Sequence, residues 1–241
     1  MSKEPLRTYL SKRHFDRTSE PRGGDSPDSS GKPRFVVQIH DASRMHFDFR
    51  LEVDGVLKSW SVPKGPSTDP KDKRLAMPTE DHPLDYRDFE GVIPAGEYGG
   101  GTVIVWDQGH YRPTAHDRKG RPVPFAEALE KGHVTFWMEG RKLHGGYALT
   151  RFRGGPDSDE RESWLLVKTD DAHADGQGTP DPRRARSVLS GHTLKQVAED
   201  VAAETGAEDR PENQEKQEKQ TRKSAKKSTG ERGGSRGRGR G

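Results

Sequence analysis

The sequence predicts a mainly β protein: a small closed or nearly closed β-barrel with one short core helix and a disordered basic C-terminal tail. Three observations point there. Apolar and polar residues alternate in several short runs, the period-two pattern of half-buried strands. Glycine (28) and proline (17) are frequent among the 241 residues and fall between those runs, where turns belong. Only residues 125–130, closed by Lys131-Gly132, read as a core helix.

The first run, Phe35-Val36-Val37-Gln38-Ile39-His40, puts Phe35, Val37 and Ile39 on one face and Val36, Gln38 and His40 on the other. The next puts Phe47, Phe49, Leu51 and Val53 inside, with His46, Asp48, Arg50 and Glu52 outside. Asp54-Gly55 then predicts a tight hairpin into Val56–Val62. Pro63, Pro66 and Pro70 make a stiff loop, and Arg74–Thr79 is a short strand with Pro78 at its end. The glycines of Gly91–Gly101 turn a corner into Thr102–Asp107. They lack the Gly-Lys-Ser/Thr ending and following helix of a phosphate loop. Gln108-Gly109 turns into His110-Tyr111-Arg112. Strands at His133–Glu139, Leu143–Phe152 and Ser163–Lys168 follow, with a bulge or bend at Gly145-Gly146. Tyr98 and Trp106 are expected in the core, and Ser187–Ala203 carries a modest helical pattern.

Hydrophobic residues make up 27% and charged residues 34%, and the apolar deficit sits in residues 17–33 and beyond about residue 172. The expected organisation is an N-terminal arm and flexible loop (1–33), a β-barrel (34–172), a linker with a short helix (173–203) and a disordered basic tail (204–241). The net charge of +3 is segregated: residues 222–241 carry eight Lys or Arg and one acid, so the rest is net −4. Absence of cysteine excludes disulfides and thiolate chemistry. Neither a signal-like run nor a membrane-length apolar stretch is present, so a cytoplasmic monomer without membrane contact, associated with the nucleoid, is expected.

A short turn through Ala42-Ser43 would bring His40 beside His46 and Asp48. Two imidazoles and a carboxylate form a facial ligand set for a divalent transition metal. Arg50 lies one strand step beyond, with a fork suited to phosphate or carboxylate. Lys64, Arg74 and His82 add further phosphate-compatible groups, which favours phosphoester hydrolysis.

The blocks Phe35–His40, His46–Glu52, Trp60–Pro66, Glu80–Tyr86 and Gly91–Pro94 with Gly96–Gly99 resemble the 3′-phosphoesterase domain of bacterial and archaeal DNA ligase D. The resemblance spans residues 6–170 and, with no ligase or polymerase domain in the chain, suggests a stand-alone form. It implies a manganese-dependent enzyme, other divalent transition metals being possible, in DNA repair by end joining. Such an enzyme removes a 3′-terminal ribonucleoside and then the remaining 3′-phosphate to leave a 3′-OH. The implied ligands are His40, His46 and Asp48. Arg50 and His82 would engage the phosphate, His82 doubling as general acid, while Lys64, Arg74 and Tyr86 orient the scissile group. Arg13 and Glu20 match functional positions of the arm, whereas His14 stands where the family has Asp. Asp16, on the same side of an extended arm, is the expected partial substitute. The implied partners are DNA primer-template or duplex 3′ ends, a separate DNA ligase and end-binding repair proteins. Two alternatives are a non-catalytic nucleic-acid-binding barrel and a non-haem Fe(II) oxygenase, which would take its second histidine at His110 or His144.

Overall fold

The computed structural model describes residues 5–24, 31–153 and 161–206. Nine strands are described: β1 (Arg34–Asp41), β2 (Met45–Val53), β3 (Val56–Val62), β4 (Arg74–Pro78), β5 (Gly91–Ile93), β6 (Gly101–Pro113), β7 (His133–Gly140), β8 (His144–Arg153) and β9 (Ser163–Lys168). Eight of them close an antiparallel barrel in the order β1-β2-β3-β4-β9-β8-β7-β6, with β6 returning to β1. β5 adds to β6 beyond the point where β7 leaves it. Helices are α1 (Arg7–Ser11), α2 (Phe125–Glu130) and α3 (Leu194–Thr205), with a 3-10 turn at Leu84–Asp88.

The alternation of β1 and β2 divides their side chains as expected. Phe35, Val37, Ile39, Phe47, Phe49, Leu51 and Val53 fill the barrel with Trp60, Phe136, Tyr147, Trp164 and others. Val36, on the opposite face, belongs to a second cluster with Tyr9, Leu57, Leu84, Tyr86, Phe89, Ile93, Val103 and Val105. That cluster lies outside the barrel wall, under α1 and the 3-10 turn. It places a second buried layer on the face that carries Gln38, His40, Asp48 and Arg50. The β2–β3 hairpin turns at Asp54 (φ 50°) and Gly55 (φ 82°), positive at both positions as the Asp-Gly pair demands.

Several expectations are corrected. Gln108-Gly109 is not a turn: β6 runs straight through it, pairing Gly109 with both Phe35 and Gly140. The glycine is there for space, since a Cβ would sit 2.1 Å from the Glu139 carbonyl oxygen. The irregularity of β6 lies nearby, where Val37 pairs Asp107 and Gln38 pairs Val105, leaving Trp106 as the extra residue. Gly145-Gly146 makes no bulge. Both pair in register with β7, and a Cβ on Gly146 would meet Thr169 Oγ1 at 2.3 Å. The register break of β8 falls between Arg151 and Arg153. Tyr98 is not core but exposed, while Trp106 is buried.

Residues 17–24, expected to be mobile, include the buried Glu20, and the Pro21 carbonyl accepts the Tyr9 hydroxyl at 2.6 Å. The 187–203 helical pattern forms a helix only from Leu194, because the Ser187 hydroxyl accepts the amides of Leu189 and Ser190 and holds a loop. Leu194 and Val197 of α3 join the barrel core. Two compact units are distinguished, Met1–Val201 and Ala202–Gly241; of the second, only the end of α3 and Gly206 are described. The expected disordered tail lies outside the described residues from 207 onward.

Candidate metal centre and phosphate-binding cluster

The tight β1–β2 connection sets His40 opposite His46 and Gln38 opposite Asp48. The two imidazoles stand 4.9 Å apart between ring centroids. Each ring is oriented by a backbone carbonyl, which can only accept. His40 Nε2 donates to Gly99 O (2.8 Å) and His46 Nδ1 donates to Arg44 O (2.8 Å). The remaining nitrogens, His40 Nδ1 and His46 Nε2, turn their lone pairs to the Asp48 carboxylate at 3.6 and 3.5 Å, too long for good hydrogen bonds. One donor atom from each residue falls within 4.8 Å of the others. Carbonyl-fixed tautomers with lone pairs converging on a carboxylate fit a divalent cation. This is the one such group among the described residues.

Arg50 lies behind that set and is only 2% exposed. It donates to Gln38 Oε1 (2.9 Å), Ser59 Oγ (2.9 Å) and Asp48 Oδ2 (3.1 Å), with its guanidinium 4.9 Å from the Tyr86 ring centroid. Gln38 completes the brace by donating to the carbonyls of Tyr86 and Phe89. Burial alone would raise the Asp48 pKa. The Arg50 guanidinium outweighs it and holds the carboxyl well below its usual range.

His82 sits between two guanidiniums. Arg13 Nη2 lies 3.2 Å from its Nε2, and Arg50 Nη1 lies 2.9 Å from its Nδ1. The Glu80 carbonyl 2.8 Å from Nδ1 only accepts, so Nδ1 carries the proton and gives it to Glu80 O, while Nε2 offers its lone pair to Arg13. Arg50 stands beside Nδ1 as a close cation and not as a donor to it. Burial, then Arg50 and Arg13, push the His82 pKa well down, so the ring is neutral. Arg13 is itself held by Glu20 Oε1 (2.8 Å) and Glu80 Oε1 (3.1 Å), and Tyr86 donates to the same Glu20 oxygen (3.0 Å).

Residues 38–151 match the family model of the DNA ligase D 3′-phosphoesterase domain. Those residues belong to that family. Among curated relatives, a multifunctional non-homologous end joining protein LigD of Pseudomonas aeruginosa is 50% identical over 198 residues, 80% of this chain and 22% of the relative. The LigD of Mycolicibacterium smegmatis is 39% identical over 70% of this chain and 21% of its own length. That of Mycobacterium tuberculosis, a multifunctional non-homologous end joining DNA repair protein, is 42% identical over 62% and 18% respectively. The chain thus spans about a fifth of the length of these relatives.

Within the phosphoesterase domain the fold brings together His40, His46, Asp48, Arg50, His82 and Tyr86, and the arm adds Arg13 and Glu20. Lys64 and Arg74 stand outside this hydrogen-bonded set. Lys64 is exposed in the loop after β3, and Arg74 pairs with Asp72 at 2.7 Å. His14 pairs with Glu97 (2.9 Å). The arm is not extended there: Arg17 N bonds to His14 O in a tight turn, and the Asp16 side chain is 76% exposed with Arg17 beside it. His110 and His144, the ligands an oxygenase would require, do not join His46 and Asp48. Sequence reading missed Gln38, Ser59 and Glu80 as parts of the cluster. For Gln38 the available signal was its place on the His40 face of β1. An open cleft of about 290 Å³ lies at the far end of β1 beside Arg34, Arg87, His110 and Arg141. Glu139 within it and Asp88 on Arg87 offset its charge, and its lining includes none of His40, His46 and Asp48.

Proposed function

We propose that this chain is a metal-dependent phosphoesterase acting at DNA 3′ ends. It removes 3′-terminal ribonucleosides and 3′-phosphates to leave a 3′-OH, with manganese held by His40, His46 and Asp48. The carrying observation is the pair of carbonyl-tied imidazoles whose free nitrogens face one carboxylate, beside a buried arginine–histidine cluster. Two imidazoles distinguish such a site from the all-oxygen coordination typical of magnesium. A bound cation there would polarise a phosphoryl oxygen and lower the pKa of its water.

The protein side chains divide the remaining work. Arg50 keeps Asp48 ionised and sets a guanidinium 2.9 Å from His82 Nδ1, and Arg13 presents a second guanidinium from the arm. His82 is neutral while flanked by these cations. An arriving phosphate offsets their charge and raises its proton affinity, so His82 becomes able to protonate a leaving oxygen only once substrate is in place. Lys64, exposed after β3, and Arg74, at the start of β4 and paired with Asp72, would act on bound substrate alone.

The names of the relatives support non-homologous end joining as the setting; a separate DNA ligase and end-binding repair proteins as partners, and the cytoplasm as the place, are proposed with it. No helix among the described residues is long and apolar enough to cross a membrane. The test is to incubate the purified chain with primer–templates ending in a 3′-ribonucleotide or 3′-phosphate, with manganese, magnesium or chelator. Manganese-dependent release of nucleoside and phosphate, lost in His46→Ala together with metal binding by calorimetry, is expected. Turnover by His46→Ala at the wild-type rate would overturn the assignment.

A further inference from the structure

Tyr98 is the one tyrosine of this chain that is not buried: Tyr9, Tyr86, Tyr111 and Tyr147 are at most 3% exposed, and Tyr98 is 49% exposed. A single exposed ring needs no explanation by itself. Its anchoring does. The next residue, Gly99, supplies the carbonyl that holds the His40 ring, so Tyr98 is tied by backbone to the metal set. Its hydroxyl accepts from Lys12 Nζ (3.1 Å) and faces Glu80 Oε2 (3.4 Å). The Lys12 ammonium lies 4.3 Å from the ring centroid and the Arg13 guanidinium 5.7 Å. Glu97, the preceding residue, holds His14 of the arm. The ring is therefore oriented by charged groups along one side while nearly half of its surface faces solvent, at the rim of the candidate centre.

We infer that Tyr98 is a positioning residue whose open surface stacks on the base of the 3′-terminal nucleoside while the phosphate it carries enters the cluster. The inference rests on the function proposed above. It assigns the rim to a flat, π-faced group adjoining the scissile phosphate, and it explains why an aromatic ring is left uncovered beside Lys12 and Arg13. Base–aromatic stacking tolerates any base, which suits an enzyme that must accept ends of any sequence. Loss of such a contact weakens binding about tenfold or more.

The probe is a primer–template whose 3′-phosphorylated terminal nucleoside is 2-aminopurine, whose fluorescence falls on stacking. Binding is followed by that fluorescence and by anisotropy, with metal chelated so that nothing turns over. The wild-type protein is expected to quench the probe and to bind a matched abasic 3′ end about tenfold more weakly. Tyr98→Phe keeps the ring and should retain both properties. Tyr98→Leu should lose the quench and no longer distinguish the abasic end, with unchanged thermal unfolding. Full quenching by Tyr98→Leu would overturn the inference. So would equal losses in the Phe and Leu variants, which would make the hydroxyl a tether for the arm and nothing more. If the wild-type protein neither binds these ends nor hydrolyses them with any divalent metal, the proposed function falls and this inference with it. Hydrolysis that survives without the quench overturns the inference alone.

Discussion

Replacing Arg50 by Met should damage the fold before it damages chemistry. Arg50 is 2% exposed, and its departure leaves the Asp48 carboxylate buried with no cationic partner, while Gln38 Oε1 and Ser59 Oγ lose a donor. Removing one partner of a buried ion pair costs about 3–5 kcal/mol, a large part of the ~5–15 kcal/mol that stabilises an ordinary domain. The Asp48→Asn, Arg50→Met pair removes the charge altogether. Its cost should fall short of the summed single costs by about 2 kcal/mol, the size of coupling seen for contacting residues. Urea unfolding of the four proteins at neutral pH in chelator measures this directly. Adding manganese should recover part of the Arg50→Met loss, because a cation at His40, His46 and Asp48 supplies the missing positive charge. Additivity within about 0.5 kcal/mol would refute the view that Arg50 exists chiefly to hold Asp48 ionised. Arg50 would then be free to serve as a phosphate contact alone.

Three further outcomes follow from the same geometry. His82 has a folded-state pKa well below its ordinary 6.5, so below that pH the unfolded chain takes up a proton that the folded one refuses. Stability of the metal-free protein should be full above about pH 6.5 and fall as the pH drops beneath it, and His82→Gln should flatten that stretch of the urea-midpoint profile; parallel profiles would contradict it. Gly109→Ala places a Cβ 2.1 Å from the Glu139 carbonyl oxygen and should cost at least about 1–3 kcal/mol in urea unfolding, against no change if the glycine merely marks a turn. Deleting 207–241 should leave the unfolding midpoint and metal affinity unchanged but reduce the slope of log DNA affinity against log salt by roughly 0.7–0.9 for each lost phosphate contact. An unaltered slope would show that the Lys- and Arg-rich end does not touch DNA.

The grouping of His40, His46 and Asp48 was readable from sequence because it depends on two local facts, the period of a strand and the shortness of the β1–β2 turn. Together they place His40 against His46 with Asp48 two residues on. Arg13, Glu20 and Tyr86 had no such local signature and were reached only through family resemblance. What seats them is the burial of Tyr9 against His82, ring centroids 5.1 Å apart, between residues 73 positions apart in sequence. The glycine errors share one cause. A glycine is required either by a positive φ or by a backbone that passes too close for a Cβ, and a single sequence does not separate the two. Asp54-Gly55 is the first case, and Gly109 and Gly146 are the second.

Why the arm matters follows from where the site lies. Phe35, Val37, Ile39, Phe47, Phe49 and Leu51 commit the inner face of β1 and β2 to the barrel, so His40, Asp48 and Arg50 are turned outward. On a bare outer wall they would be solvated and the ion pair between Arg50 and Asp48 would count for little. The second cluster changes that, because Tyr9, Leu84, Tyr86 and Phe89 bury the outer face around Val36 and exclude water from Arg50 and His82. In the resulting low dielectric the same charges shift the pKa values of both Asp48 and His82 downward. The arm and the 3-10 turn therefore do more than add Arg13 and Tyr86 to the site. They convert one polar strand face into an environment where a carboxylate stays charged, a histidine stays neutral, and an entering anion would meet guanidiniums that water no longer screens.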